Sequence, residues 1–79
     1  MLTLKIVSPE KVVFQGEVES VLVPGAKGSF EILTNHAPIV SLLEKGRVEY
    51  ATSEGKQLLD VTGGFVEVQK NKVHLCVEI

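Results

Sequence analysis

The 79-residue chain carries 8 Lys plus Arg against 10 Asp plus Glu, a net charge of -2, and an apolar fraction of 44%. A chain of that length makes one domain with a thin core, burying about 60–65% of its unfolded surface, and its mixed, faintly acidic charge argues against nucleic acid or an anionic membrane as a main partner. The lone cysteine, Cys76, excludes an internal disulfide and a thiolate-based metal framework, and no run approaches the roughly 20 apolar residues of a membrane span.

Taken in order, Leu2, Leu4 and Ile6 alternate with Thr3 and Lys5, which predicts a first strand with one buried face, ended by Ser8 and Pro9. This start has neither the basic region nor the apolar run of a signal peptide. Val12 and Phe14 open a second strand and Val18 continues it on the same parity; Gly16 inside the run predicts a bulge or a corner between sheets. Val21, Leu22 and Val23 do not alternate, as expected of a segment covered on both faces or changing sides.

The stretch Pro24–Pro38 concentrates turn residues. Gly25 and Gly28 predict a tight turn, Phe30 and Ile32 share one face of a short strand, and Asn35 to Pro38 stop it. Loops on a rigid β scaffold are where binding residues are usually carried, so this looped-out hairpin is the expected contact surface. Ile39, Leu42 and Leu43 have helical spacing, but the run before Gly46 is too short for a stable helix, and a short strand is the preferred reading. Val48 and Tyr50, then Leu59 and Val61, then Val66 and Val68 mark further strands, with turns at Ser53–Gly55, Gly63–Gly64 and Lys70–Lys72. The last strand sets Val73, Leu75, Val77 and Ile79 inward and His74, Cys76 and Glu78 outward. The fold class is all-β, a small sandwich or flattened barrel of about ten short strands in two sheets, forming one domain over 1–79.

Catalytic chemistry finds little support. Ser29 and His36 share a loop, but no orienting carboxylate stands at a motif spacing. Gly25, Lys27, Gly28 and Ser29 hold the letters of a phosphate loop in the wrong order. His74 and Cys76 are two apart on one strand face, yet only His36 remains as a third ligand, and no metal is assigned. Glu17, Glu19 and Glu31 read as solvated strand faces. His36 either bonds nearby backbone and pins its loop or faces a partner; residue chemistry favours the first.

Several short runs carry a family resemblance: Ser8-Pro9, Phe14-x-Gly16, Val21-x-Val23-Pro24-Gly25, Gly28-x-Phe30-x-Ile32-Leu33, Asn35-His36-Ala37-Pro38, Gly46-x-Val48, Gly63-Gly64-Phe65-x-Glu67-Val68 and Asn71-x-Val73. In this order, and over nearly the whole chain, they resemble the N-terminal β-sandwich domain of the epsilon subunit of F-type ATP synthases, called delta in mitochondria. The resemblance implies a ten-stranded sandwich of two five-stranded sheets. It also implies a non-catalytic rotor role without cofactor or small-molecule substrate, bound to the gamma subunit and resting on the c-ring, peripheral on the cytoplasmic side of a bacterial inner membrane.

In this family the ring-facing loops correspond to 26–36 here, so Lys27, Gly28, Ser29, Glu31, Asn35 and His36 are the expected contact residues. An acidic residue common after the second glycine is here Ser29, and Glu31, where the family commonly has glycine, would supply the charge instead. Thr34 replaces a common proline and should loosen the loop's entry. Family members usually continue into a C-terminal helical hairpin that can inhibit ATP hydrolysis and in some binds ATP; nothing after Val77 could build it, so neither property is carried over. The competing reading is a stand-alone β-sandwich adaptor that binds another protein through the 24–38 hairpin. Two separate interfaces would distinguish a rotor piece from an adaptor with one.

Overall fold

The alternation along the chain becomes nine strands in the computed structural model, which describes all of residues 1–79: β1 (Leu2–Val7), β2 (Val12–Val18), β3 (Ser20–Val23), β4 (Phe30–Ile32), β5 (Ile39–Leu43), β6 (Gly46–Thr52), β7 (Gly55–Val61), β8 (Gly63–Gln69) and β9 (Lys72–Glu78). They form a five-stranded sheet in the order β2-β1-β9-β8-β5 and a four-stranded sheet in the order β4-β3-β6-β7. All neighbours are antiparallel except β1 and β9, which run parallel, with Leu4 beside Val73 and Ile6 beside Leu75. The first and last strands therefore share the centre of one sheet.

Successive side chains on a strand point to opposite faces, so each alternating set is delivered to the space between the sheets. Leu2, Leu4, Ile6, Val18, Leu43, Val66, Val68, Val73, Leu75 and Val77 come from one sheet; Val21, Val23, Ile32, Val48, Tyr50 and Val61 come from the other. The predominance of valine suits a thin core, because the branched side chain packs well on a pleated surface. At one end of the sandwich the Phe14 ring closes on Tyr50, with centroids 4.7 Å apart and planes at 46°.

Several expectations are corrected. The all-β class of about ten short strands in two sheets is as expected, with nine strands present, but the sheets hold five and four strands rather than the five each that the resemblance implies. Gly16 makes no bulge, since it pairs in register with Leu4; the irregularity lies at Ile6 and Val7, where the partner shifts from Phe14 to Val12. Gly16 instead makes room for Phe14, whose Cζ would stand 3.2 Å from a β-carbon at that position. The corner between sheets is at Glu19, whose N–H donates to the Ala51 carbonyl across 2.8 Å. β3 alternates after all, with Val21 and Val23 buried and Leu22 half-buried on the outer side. Ile79 lies past the end of β9 and is exposed rather than set inward.

The hairpin, too, is shorter than its sequence limits. β3 and β4 pair from Val21–Ile32 to Val23–Phe30, so the hairpin closes at Ile32, and residues 33–38 are a connection that crosses to β5 in the other sheet. The Ile39–Leu43 run is a strand, paired along its length with β8.

Candidate functional site

The turn at 24–29 is built by two glycines acting for different reasons. Gly28 has a φ of 126°, a conformation L-residues rarely adopt, and open space around its α-carbon. Gly25 is required by crowding: a β-carbon there would lie 2.7 Å from the Gly28 carbonyl oxygen and 2.9 Å from the Phe30 ring. The Gly28 N–H donates to the Gly25 carbonyl across 3.0 Å, which closes the turn.

The turn is then tied to the edge of the other sheet. The Ala26 N–H donates to Leu42 and the Glu44 N–H donates to Pro24, each across 2.9 Å, and Gly25 bridges Leu43. These bonds cover the upper part of the β5 edge and hold the two sheets together at one side. Between the turn and β5 lies an open groove of about 640 Å³, with Lys27, Ser29 and Phe30 on one wall and Ile39, Val40 and Leu42 on the other.

The six expected contact residues fall into three settings. Lys27, Gly28 and Ser29 line this groove and are exposed. Glu31 belongs elsewhere: it stands on the outer face of the four-stranded sheet, opposite Leu22 and near Glu49 and Lys56. Asn35 and His36 sit in the 33–38 connection. The His36 Nδ1 lies 2.7 Å from the Ala37 carbonyl oxygen, and because a carbonyl only accepts, Nδ1–H is the donor. The ring also faces Phe30, centroid to centroid 6.4 Å. His36 thus bonds its own backbone neighbour, as residue chemistry favours, and joins the connection to the hairpin.

Asn35 takes part in a contact that sequence reading missed. Its N–H donates to Asn71 Oδ1 across 2.6 Å, and Asn71 Nδ2 donates to Asn35 Oδ1 across 3.3 Å. The two residues are 36 positions apart, and only their side-chain chemistry and shared liking for left-handed turns could have hinted at the pair.

No three His, Cys, Asp or Glu side chains gather as a metal centre would need. His74 stands between Lys5 and Glu67 on neighbouring strands, whereas Cys76 stands between Val7 and Phe65, so the two belong to different cross-strand rows.

The row through Cys76 is the second feature that sequence reading did not find. On the outer face of the five-stranded sheet, Val12, Val7, Cys76, Phe65 and Leu42 are successive cross-strand neighbours, one from each strand. Leu42 and Val40 are both 69% exposed, and Phe65 is 41% exposed. Since Leu42 and Val40 also line the groove, the apolar row runs into it without a break. The outer face of the four-stranded sheet differs, being laced by Arg47–Asp60 at 3.0 Å and Lys56–Glu49 at 3.7 Å. The hydrogen bond to Asp60 holds the Arg47 guanidinium above its ordinary pKa.

With this geometry in hand, comparison with known proteins gives one consistent answer. The family model described as "ATP synthase, Delta/Epsilon chain, beta-sandwich domain" matches residues 1–79. The ATP synthase epsilon chain of Leptospira interrogans is 43% identical over 77 residues, covering 98% of this chain and 61% of the relative. That of Chlorobaculum tepidum is 42% identical over 77 residues, covering 96% of this chain and 88% of the relative. The chain thus spans about six-tenths of the Leptospira relative and most of the Chlorobaculum one. Among solved structures, a chain in the OSCP/F1/c-ring structure of the Euglena gracilis mitochondrial ATP synthase superposes with a TM-score of 0.89 at 22% identity, over 96% of this chain and 49% of that one, a likeness of fold.

Proposed function

The chain belongs to the ATP synthase delta/epsilon family of β-sandwich domains, and from that premise we propose that residues 1–79 act as a non-catalytic rotor element of a proton-transporting F-type ATP synthase. In this reading the domain joins the gamma subunit to the c-ring, so that ring rotation driven by protons turns the shaft. It works peripherally on the cytoplasmic side of a bacterial inner membrane; no helix of the chain is long and apolar enough to cross one.

One observation carries the proposal: two different surfaces meet at β5. The apolar row across the five-stranded sheet is contiguous, with Val12, Phe65 and Leu42 exposed and Val7 and Cys76 half-buried, as suits a surface that buries itself against a lasting partner. The gamma subunit is its occupant in this reading. The exposed Lys27 and Ser29 of the hairpin turn, with Asn35 and His36 of the 33–38 connection, form the polar surface that meets the ring, and Glu31 joins them only from the outer face of the four-stranded sheet. A wedge bound on both sides can transmit torque, whereas an adaptor needs one surface only.

The test uses the full-length subunit in assembled enzyme. Replacing Ser29→Lys and Glu31→Lys together is expected to lower ATP-driven proton pumping relative to ATP hydrolysis while the subunit remains folded and bound to gamma. Unchanged pumping would remove the 26–36 segment as the ring contact, and failure of the wild-type chain to bind gamma would leave the adaptor reading.

A further inference from the structure

We infer that Asn71 is a positioning residue: from the tip of the β8–β9 hairpin it holds the Asn35–His36 segment in the geometry that the ring contact requires. The inference rests on the rotor reading above and adds to it a residue outside the contact loops.

The connection 33–38 crosses from one sheet to the other with few ties of its own. Within it, the His36 N–H donates to the Leu33 carbonyl across 3.1 Å and the His36 ring bonds Ala37. The amide pair with Asn71 supplies its side-chain hydrogen bonds to the rest of the sandwich. Beyond that pair, the His36 ring approaches the hairpin at Phe30, with centroids 6.4 Å apart.

Asn71 is well placed to serve as a fixed post. With Lys70 at a φ of 52° and Asn71 at 61°, the tip is a two-residue turn of the kind whose twist matches the strands it joins. The Asn71 carbonyl accepts the Thr3 N–H across 2.9 Å, which fastens the tip to β1. Glycine would serve the second position of such a turn at least as well as asparagine. What asparagine adds is its amide, and that amide is spent on Asn35, itself left-handed at a φ of 67°.

The substitution Asn71→Gly separates the two roles, because it keeps the turn and removes the amide. Asn71→Asp restores an acceptor for the Asn35 N–H. Each is introduced into the full-length subunit and tested for stability, for exchange of the Asn35 amide proton, and for binding to subunit-depleted enzyme. The binding target is used in two forms, the complete ring-containing complex and the F1 sector without the ring.

Asn71→Gly is expected to lower the unfolding midpoint by no more than about 4–8 °C, the loss of one net hydrogen bond from the free domain, to speed Asn35 amide exchange, and to weaken binding to the ring-containing complex about fivefold. Binding to F1 alone should not change, and Asn71→Asp should recover most of the loss. Equal losses in both forms would reduce Asn71 to a structural role and overturn the inference, as would faster exchange with undiminished binding. The double replacement Ser29→Lys with Glu31→Lys is run beside it. If that pair weakens ring-dependent binding and Asn71→Gly does not, the positioning role alone fails; if neither does, the ring-facing reading of the loop fails with it.

Discussion

The α-carbon of Gly64 on β8 lies so close to the backbone of Cys76 on β9 that a β-carbon at position 64 would overlap the Cys76 carbonyl oxygen. Gly64 also has a φ of 140°, which lets β8 turn out of the corner after β7 and pair at once with Val77 on one side and Leu43 on the other. Crowding and backbone conformation therefore demand glycine together. Gly64→Ala should cost about 3 kcal/mol or more, combining backbone strain with overpacking. Gly55→Ala is the control, since Gly55 has a φ of 118° with open space around it and should lose only the backbone share, about 1–2 kcal/mol. Urea unfolding of both variants decides the matter; equal losses would mean that β9 yields to the added methyl group.

How much of this was legible beforehand depends on the range of the interactions. Period-two alternation placed Leu2, Leu4, Ile6, Val48, Tyr50, Val66, Val68, Val73, Leu75 and Val77 in the core, because alternation and burial are one geometric fact. Gly16 was misread because its reason is a neighbouring ring, and a sequence shows a glycine without showing what it makes room for. Ile79 was misread because alternation says which way a residue points and not whether anything stands opposite. The groove, the apolar row and the Asn35–Asn71 pair depend on strand order. No local pattern predicts that β1 lies beside β9, and only that pairing brings Val7 to Cys76.

The two turn glycines at the candidate site should respond differently. Gly25→Ala places a methyl group against the Gly28 carbonyl and the Phe30 ring, so it should cost about 2–3 kcal/mol and move Phe30. Gly28→Ala meets no neighbour and should cost about 1–2 kcal/mol through its φ alone. Because Phe30 faces His36, the His36 ring-proton shifts in an NMR spectrum should change in the first variant and stay in the second. The opposite order would show that the turn, not the packing of Phe30, sets the loop.

Tyr50 gives the domain an alkaline limit. Burial pushes its phenol above the ordinary value of 10.0. The raised pKa belongs to the folded state, so the unfolded chain ionises first, and this contribution to stability is intact below about pH 10 and is lost as pH climbs through the folded-state value. Tyr50→Phe keeps the ring beside Phe14 and removes the titrating group. Its stability should fall less steeply above about pH 10 than that of the wild type. Parallel curves from chemical denaturation would exclude Tyr50 as the source, and because the chain has 1 tyrosine, the phenolate absorbance reports on this residue alone.

The outer row of the five-stranded sheet makes a claim that stability measurements and binding measurements answer separately. Val40 and Leu42 are each 69% exposed, so replacing them with lysine removes little buried area and should change stability by no more than about 0.5 kcal/mol. Lysine is also well tolerated on an edge strand, where it discourages unwanted pairing. A partner that covers the row must instead bury the new charges, which costs several kcal/mol unless they are paired. The Val40→Lys, Leu42→Lys subunit should therefore melt like the wild type yet fail to retain gamma through purification of the complex. Ser29→Lys with Glu31→Lys should show the reverse, keeping gamma and losing coupling to the ring. If the β5 lysines leave gamma bound, the apolar row is not the shaft-facing surface.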